Sequence, residues 1–149
     1  MKKAFIILLA AISLIACKTN DKKTTGSVIP KEERDSAMKD SANFTTIQWL
    51  DSTYKDIGKI KEGQIVEVAF RFKNSGAKNL VIDDVTASCG CTVPEKPQQA
   101  FAPGQEGVIK ATFNSKDRGL GEARKEVYVT ANTTPQTFQT LVFRVEITN

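Results

Sequence analysis

At 149 residues, with 40% hydrophobic and 26% charged side chains, the chain is long enough for one domain with its own core. It contains no histidine, which excludes Ser–His and Cys–His nucleophilic pairs and any imidazole metal ligand. The formal net charge of +4 is modest, and the cations are spread along the chain rather than clustered on one face, so nucleic acid is not expected as a partner.

In chain order, MKKAFIILLAAISLIAC opens with Lys2 and Lys3 and continues through an apolar stretch from Ala4 to Ala16. That stretch is shorter than the roughly 20 residues a membrane-spanning helix needs, and it ends in small residues, so residues 1–16 read as a secretory signal. Removing it takes away Lys2 and Lys3 and lowers the net charge to +2. Leu14-Ile15-Ala16-Cys17 resembles the lipobox of bacterial lipoproteins. By that resemblance cleavage precedes Cys17, which becomes the lipidated first residue and anchors the chain to a membrane of the cell envelope. Lys18, not an acidic residue, follows it, and by similarity to lipoprotein sorting rules this points to the outer membrane, on its periplasmic or surface face.

Residues 17–43 carry many charges and few large apolar groups, too few to offset the entropy of ordering them. They are expected to form a flexible tether, with a frayed helix over Lys31 to Asp40 behind Pro30. From residue 44 to 149 the texture changes. In VEVAFRFK, Val66, Val68, Phe70 and Phe72 share one side of a strand while Glu67, Arg71 and Lys73 take the other. In TLVFRVEI, Leu141, Phe143, Val145 and Ile147 alternate with Val142, Arg144 and Glu146. Further strands are expected at Thr45 to Leu50, Tyr54 to Ile57, Leu80 to Thr86, Val108 to Phe113 and Lys125 to Ala131. Turn chemistry separates them at Asn74-Ser75-Gly76, Pro103-Gly104, Arg118-Gly119 and Asn132 to Pro135. About seven short strands indicate an all-β, antiparallel β-sandwich, with Trp49, Phe70, Phe72, Phe113, Leu141 and Phe143 in its core.

FRFKNSGAKNLVIDDVTASCGCTVPE, then FAPGQEGVIKATFNS, then VYVTANTT, resemble the domain-of-unknown-function 1573 family over roughly Thr53 to Ile147. The most specific pieces are Asn74-Ser75-Gly76 after a Phe-rich strand, Ser88-Cys89-Gly90-Cys91-Thr92, and Pro103-Gly104. The resemblance implies an immunoglobulin-like sandwich, related to major-sperm-protein-like modules and common in secreted and lipid-anchored proteins of Gram-negative bacteria. It implies no catalytic residue, because the family has no defined activity.

With Cys17 assigned to lipid, Cys89 and Cys91 are the remaining thiols, a possible disulfide or thiol site. In a regular strand their Cα atoms would lie about 6.5 Å apart, near the upper limit for a disulfide, and Gly90 offers a route to a tighter backbone through positive φ. Three readings stay open. The pair is a structural element, a redox site, or half of a copper or zinc site. Redox chemistry lacks a histidine, and Asp83, Asp84 and Glu95 have the wrong sign to favour a thiolate unless Lys96 intervenes. A metal would need ligands from a second molecule. Asp83 and Asp84, adjacent on a strand, point to opposite faces and do not form an acid–base pair. Lys116, Arg118, Arg124 and Lys125 gather at one expected hairpin and read as a solvated basic edge.

No metal, cofactor or enzymatic activity is expected. The chain reads as a non-catalytic, lipid-anchored immunoglobulin-like module with an envelope protein as its partner, contacting it through exposed strand edges. Thiol redox or copper handling at Cys89-Gly90-Cys91 is the alternative, and the oligomeric state is left open.

Overall fold

The computed structural model describes residues 28–149; the signal segment and Cys17 lie outside the described residues. The described elements are α1 (Lys31–Lys39), a 3-10 turn (Ser41–Asn43), β1 (Ile47–Trp49), β2 (Tyr54–Lys61), β3 (Ile65–Asn74), β4 (Ile82–Ala87), β5 (Thr92–Glu95), β6 (Glu106–Asn114), β7 (Gly121–Ala131) and β8 (Phe138–Thr148). The strands form two four-stranded sheets, β1-β3-β6-β5 and β2-β8-β7-β4. Every neighbouring pair is antiparallel except β2 and β8, which run parallel and break register between Asp56 and Gly58.

The period-two residues face inward as their alternation requires. Val68, Phe70 and Phe72 of β3 and Leu141, Phe143, Val145 and Ile147 of β8 are all buried, and Phe113 meets Phe143 edge-on across the two sheets at 5.8 Å between ring centroids. Each such side chain, aliphatic or aromatic, contributes about 1.5–3 kcal/mol relative to an exposed one. Trp49, expected in the core, is only partly buried and packs its ring edge-on against Phe72. Phe101, which the sequence pattern did not single out, is buried and also packs edge-on against Phe72, at 4.9 Å between ring centroids.

Two buried asparagines hold the loops at one end of the sandwich. Asn74, closing β3, accepts from Thr45 Oγ1 and Gly76 N and donates to the carbonyls of Lys78 and Phe101. Asn132, just past β7, accepts from Val81 N and donates to the carbonyls of Asn43 and Asn79. The buried backbone groups of these loops are thereby satisfied without secondary structure.

The sandwich of about seven strands forms as expected, with an eighth added: Thr92–Glu95 is a strand although it is short and contains Pro94, because it lies at a sheet edge where a missing N–H costs no ladder bond. Two expectations change. The second strand runs on from Ile57 to Lys61, through Gly58 at positive φ. Residues 28–43, expected as part of the tether, lie against the domain: Val28 bridges Gln99, Ile29 N donates to Gln98 O, and Arg34, 8% exposed, donates to Ile82 O at 2.7 Å. A guanidinium bonded to carbonyls, rather than an apolar stripe, fixes this helix, so hydrophobicity alone does not reveal it.

Candidate functional site

The cysteine pair sits where the chain crosses from one sheet to the other. β4 of the second sheet ends at Ala87, the chain turns, and β5 begins in the first sheet at Thr92. Ser88 N donates to Glu126 O and Ser88 Oγ accepts from Glu126 N, which ties the start of the turn to β7. Asn114 N donates to Cys91 O, which ties its end to β6. Within it Thr92 N donates to Cys89 O at 3.2 Å, and this bend brings the two Cα atoms to 5.3 Å, where Cys89 and Cys91 are joined by a disulfide. Gly90 is not the source of the bend: it is absent from the positive-φ glycines, and a Cβ at this position would meet nothing within 4 Å.

Cys91 is 5% exposed and belongs to the core cluster, while Cys89 is partly exposed and its sulfur lies 3.7 Å from Thr92 Oγ1. Attack by an external thiolate is therefore directed at Cys89 and would leave charge on the buried Cys91 sulfur, an unfavourable leaving site. Lys96, the nearby cation, donates to Asp83 O at 2.9 Å. Among the described residues no three metal-ligating side chains converge. The arrangement is suited to stapling a sheet-crossing turn.

The other singled-out charges separate. Asp84 is exposed at a register break of β4, and Asp83 contributes only its carbonyl. Arg124 pairs with Glu126 on the outer face of β7, whereas the Lys125 ammonium lies 5.8 Å from the centre of the Phe113 ring, on the opposite side of the strand from Arg124. The basic residues of that hairpin do not form one surface.

A second feature lies beside β6. Nine residues long, β6 pairs with β3 along its whole length, but β5 covers only the stretch from Lys110 to Phe113. Beyond Glu95 the chain swings away through Pro97 to Phe101 and leaves a groove of about 430 Å³, floored by Gly107, Val108 and Phe101 and flanked by Glu95, Lys96 and Glu106. Sequence reasoning missed it because β5 was not expected; its only signal was Pro94 and Pro97 bracketing a possible strand end.

The two packed sheets define an immunoglobulin-like β-sandwich domain. The family model described as a protein of unknown function (DUF1573) matches residues 47–147, and the chain belongs to that family. No curated protein matches the sequence. Among solved structures, a protein of unknown function from Porphyromonas gingivalis W83 is similar at 18% identity and TM-score 0.63, over 72% of this chain and 49% of that one. This chain thus spans about half of that relative. The ASH/PapD-like domain 7 of human CEP192 is similar at 12% identity and TM-score 0.52, over 72% of this chain and 87% of that domain. The secreted serine protease VesC of Vibrio cholerae contains a similar portion, at 9% identity and TM-score 0.53, over 69% of this chain and 23% of the protease. At these identities the likeness concerns the fold alone.

Proposed function

We propose that the chain is a lipid-anchored, non-catalytic domain of the bacterial cell envelope that binds another protein. The observation that carries the binding reading is the incomplete pairing of β6, which leaves main-chain groups of the first sheet open beside a groove. An open strand edge is a template for a partner's backbone. Anchoring is supported by Leu14-Ile15-Ala16-Cys17 behind a charged and then apolar leader, and several acyl chains on Cys17 would make the attachment durable. The test is made in the cells that produce the protein. Intact mass should report loss of residues 1–16 and acylation of Cys17, and photo-crosslinkers placed along β6 should capture one reproducible envelope protein. An unacylated Cys17, or capture of nothing beyond bulk membrane proteins, defeats the corresponding half of the reading.

A further inference from the structure

The chain that leads in from Cys17 meets the sandwich at Val28 and becomes embedded only at Thr45, which is 3% exposed and bridges Thr133. Between these points its attachments follow one another along the chain. Val28 bridges Gln99, Ile29 N donates to Gln98 O at 3.1 Å, Arg34 donates to Ile82 O at 2.7 Å and to Gln98 O at 3.4 Å, and Asn43 O accepts from Asn132 Nδ2 at 2.8 Å. No apolar side chain of α1 is buried. A cavity of about 350 Å³ lies between Ser36 and Ala37 of the helix and Lys78 and Asn79 of the sandwich, so the helix rests on its guanidinium rather than on a packed apolar stripe. With little apolar burial and a helix of nine residues that is marginal once detached, residues 28–43 belong to the least stable part of the molecule.

Tension applied from the side of Cys17 reaches these attachments one at a time, beginning with Val28. The sandwich is loaded differently. Ile47 lies opposite Asn74 at one end of the sheets, and Thr148 O accepts from Glu62 N at the other, where β2 passes into β3. A pull between the start of β1 and the end of β8 therefore runs along the strands, and β8, paired with β2 on one side and β7 on the other, bears it through its ladder bonds together. Bonds loaded in turn yield before bonds loaded together.

We infer that residues 28–43 are an extension latch: a docked segment, closed by Arg34, that peels from the sandwich under tension and lengthens the link to the anchor while the domain stays folded. With the latch closed, residues 18–27 form the whole link and reach at most about 35 Å; with it open, residues 18–43 reach at most about 90 Å. A domain held at both ends, by the membrane through Cys17 and by a protein partner, would keep its grip as the gap between them varies. On release, water takes the place of the Ile82 and Gln98 carbonyls at the guanidinium, so the step is reversible. This rests on the reading of the chain as lipid-anchored and protein-binding, and adds to it a response to load.

The experiment pulls the full chain in optical tweezers between handles on Cys17, the cysteine outside the disulfide, and on the C-terminus. Expected is a reversible opening at low force that lengthens the chain by up to about 55 Å, the contour of residues 28–43, ahead of the cooperative rupture of the sandwich at higher force. Arg34→Ala should remove that opening, because the segment is already released, and leave the sandwich rupture at its wild-type force. Arg34→Lys, with one donor group in place of a fork, should open at a lower force than wild type, and it decides the matter if the alanine variant shows no folded sandwich. Release of residues 28–43 only together with the sandwich, or an opening whose force is the same in wild type and variants, would overturn the inference. Its failure and that of the anchor reading are distinguishable: an unacylated Cys17 removes the anchor and leaves the low-force opening in place, whereas a single rupture removes the latch and leaves the acylation as it is.

Discussion

Asp51 and Arg71 are joined through both the side chain and the backbone of the arginine. Asp51 Oδ1 accepts from Arg71 Nε at 3.1 Å and Nη2 at 2.8 Å, while Oδ2 accepts from Arg71 N at 3.0 Å and from Lys55 Nζ at 3.1 Å. Because Lys55 belongs to β2 and Arg71 to β3, one carboxylate links the two sheets at the point where the chain passes between them. The Arg71 side chain first, then its backbone N–H, then Lys55, hold the Asp51 carboxyl well below the usual carboxylate range. A carboxyl whose folded-state pKa is lowered stabilises the fold above its unfolded value, near 4, and that contribution is lost as the pH falls from there toward the folded value. Urea midpoints should therefore drop on acidification below about pH 4. Asp51→Asn should lower the neutral-pH midpoint and flatten the acid branch; an unchanged acid branch would show that other carboxylates govern it.

Asn132 makes three hydrogen bonds through one buried amide, to Val81 N at 2.7 Å and to the carbonyls of Asn43 and Asn79 at 2.8 and 2.9 Å. Asn132→Asp keeps the size but replaces the donor with a second acceptor facing two carbonyls. With each unsatisfied buried group costing about 1–3 kcal/mol, the loss should reach about 3 kcal/mol or more by equilibrium denaturation at neutral pH. Recovery of part of that stability on acidification, as the carboxyl regains a proton to donate, would distinguish the lost donor from a packing defect.

What the sequence makes legible is what repeats with the period of a strand. Phe70 and Phe72, or Leu141 and Phe143, announce their own burial, and with it the two layers. Residues whose role depends on a distant partner do not. Asn74 reads as a turn former, yet its side chain joins Thr45, Lys78 and Phe101. Arg34 reads as one charge among many in a polar segment, yet its contact is with Ile82, far along the chain. Cys89 and Cys91 are legible as a pair, but the turn that brings them together is set by Ser88 and Glu126 and by Asn114, not by the glycine between them. The open edge of β6 is a difference in length between two strands, so it appears only once both ends of β5 are known.

Two glycines should respond in opposite ways to alanine. A Cβ on Gly107 would lie 2.5 Å from Phe72 Cζ and against the Phe101 ring, with no flexible side chain to yield. Gly107→Ala should therefore cost about 1–3 kcal/mol, as overpacking of a core does. Gly90 has open space and no positive φ. Gly90→Ala should be neutral or stabilising by up to about 1 kcal/mol through the unfolded state, with the disulfide still formed. Thermal midpoints of the two variants moving in the same direction would contradict this assignment.

The disulfide closes a loop with a sequence separation of only 2. The loop-entropy relation gives such a bridge about 1–2 kcal/mol, less than the typical contribution of a native disulfide. Cys89→Ala with Cys91→Ala should therefore leave a folded sandwich with a modest loss of that order. In the reduced wild-type protein, alkylation should label Cys89 well before Cys91, whose side chain lies within the core cluster. Equal labelling rates, measured by peptide mass under native conditions, would show that the turn opens on reduction.

Arg34 is the only buried residue of α1, and its Nη1 donates to Ile82 O on the edge of β4. The helix has no side-chain cap at its start, and its remaining hold on the sandwich comes from the chain on either side, through Ile29 to Gln98 and Asn43 to Asn132. A helix of nine residues is marginal by itself in water, so removing the guanidinium should release it while the two sheets persist. Arg34→Ala should increase amide hydrogen exchange across Lys31–Lys39 to near the unprotected rate and leave β3, β6, β7 and β8 protected. It should also free the Ile82 carbonyl and part of the β4 edge, so the variant should self-associate more readily than wild type in sedimentation experiments. Lys in place of Arg34 offers one donor group instead of a fork and should give an intermediate result. Protection of α1 unchanged by Arg34→Ala would mean that the flanking backbone bonds alone hold the helix.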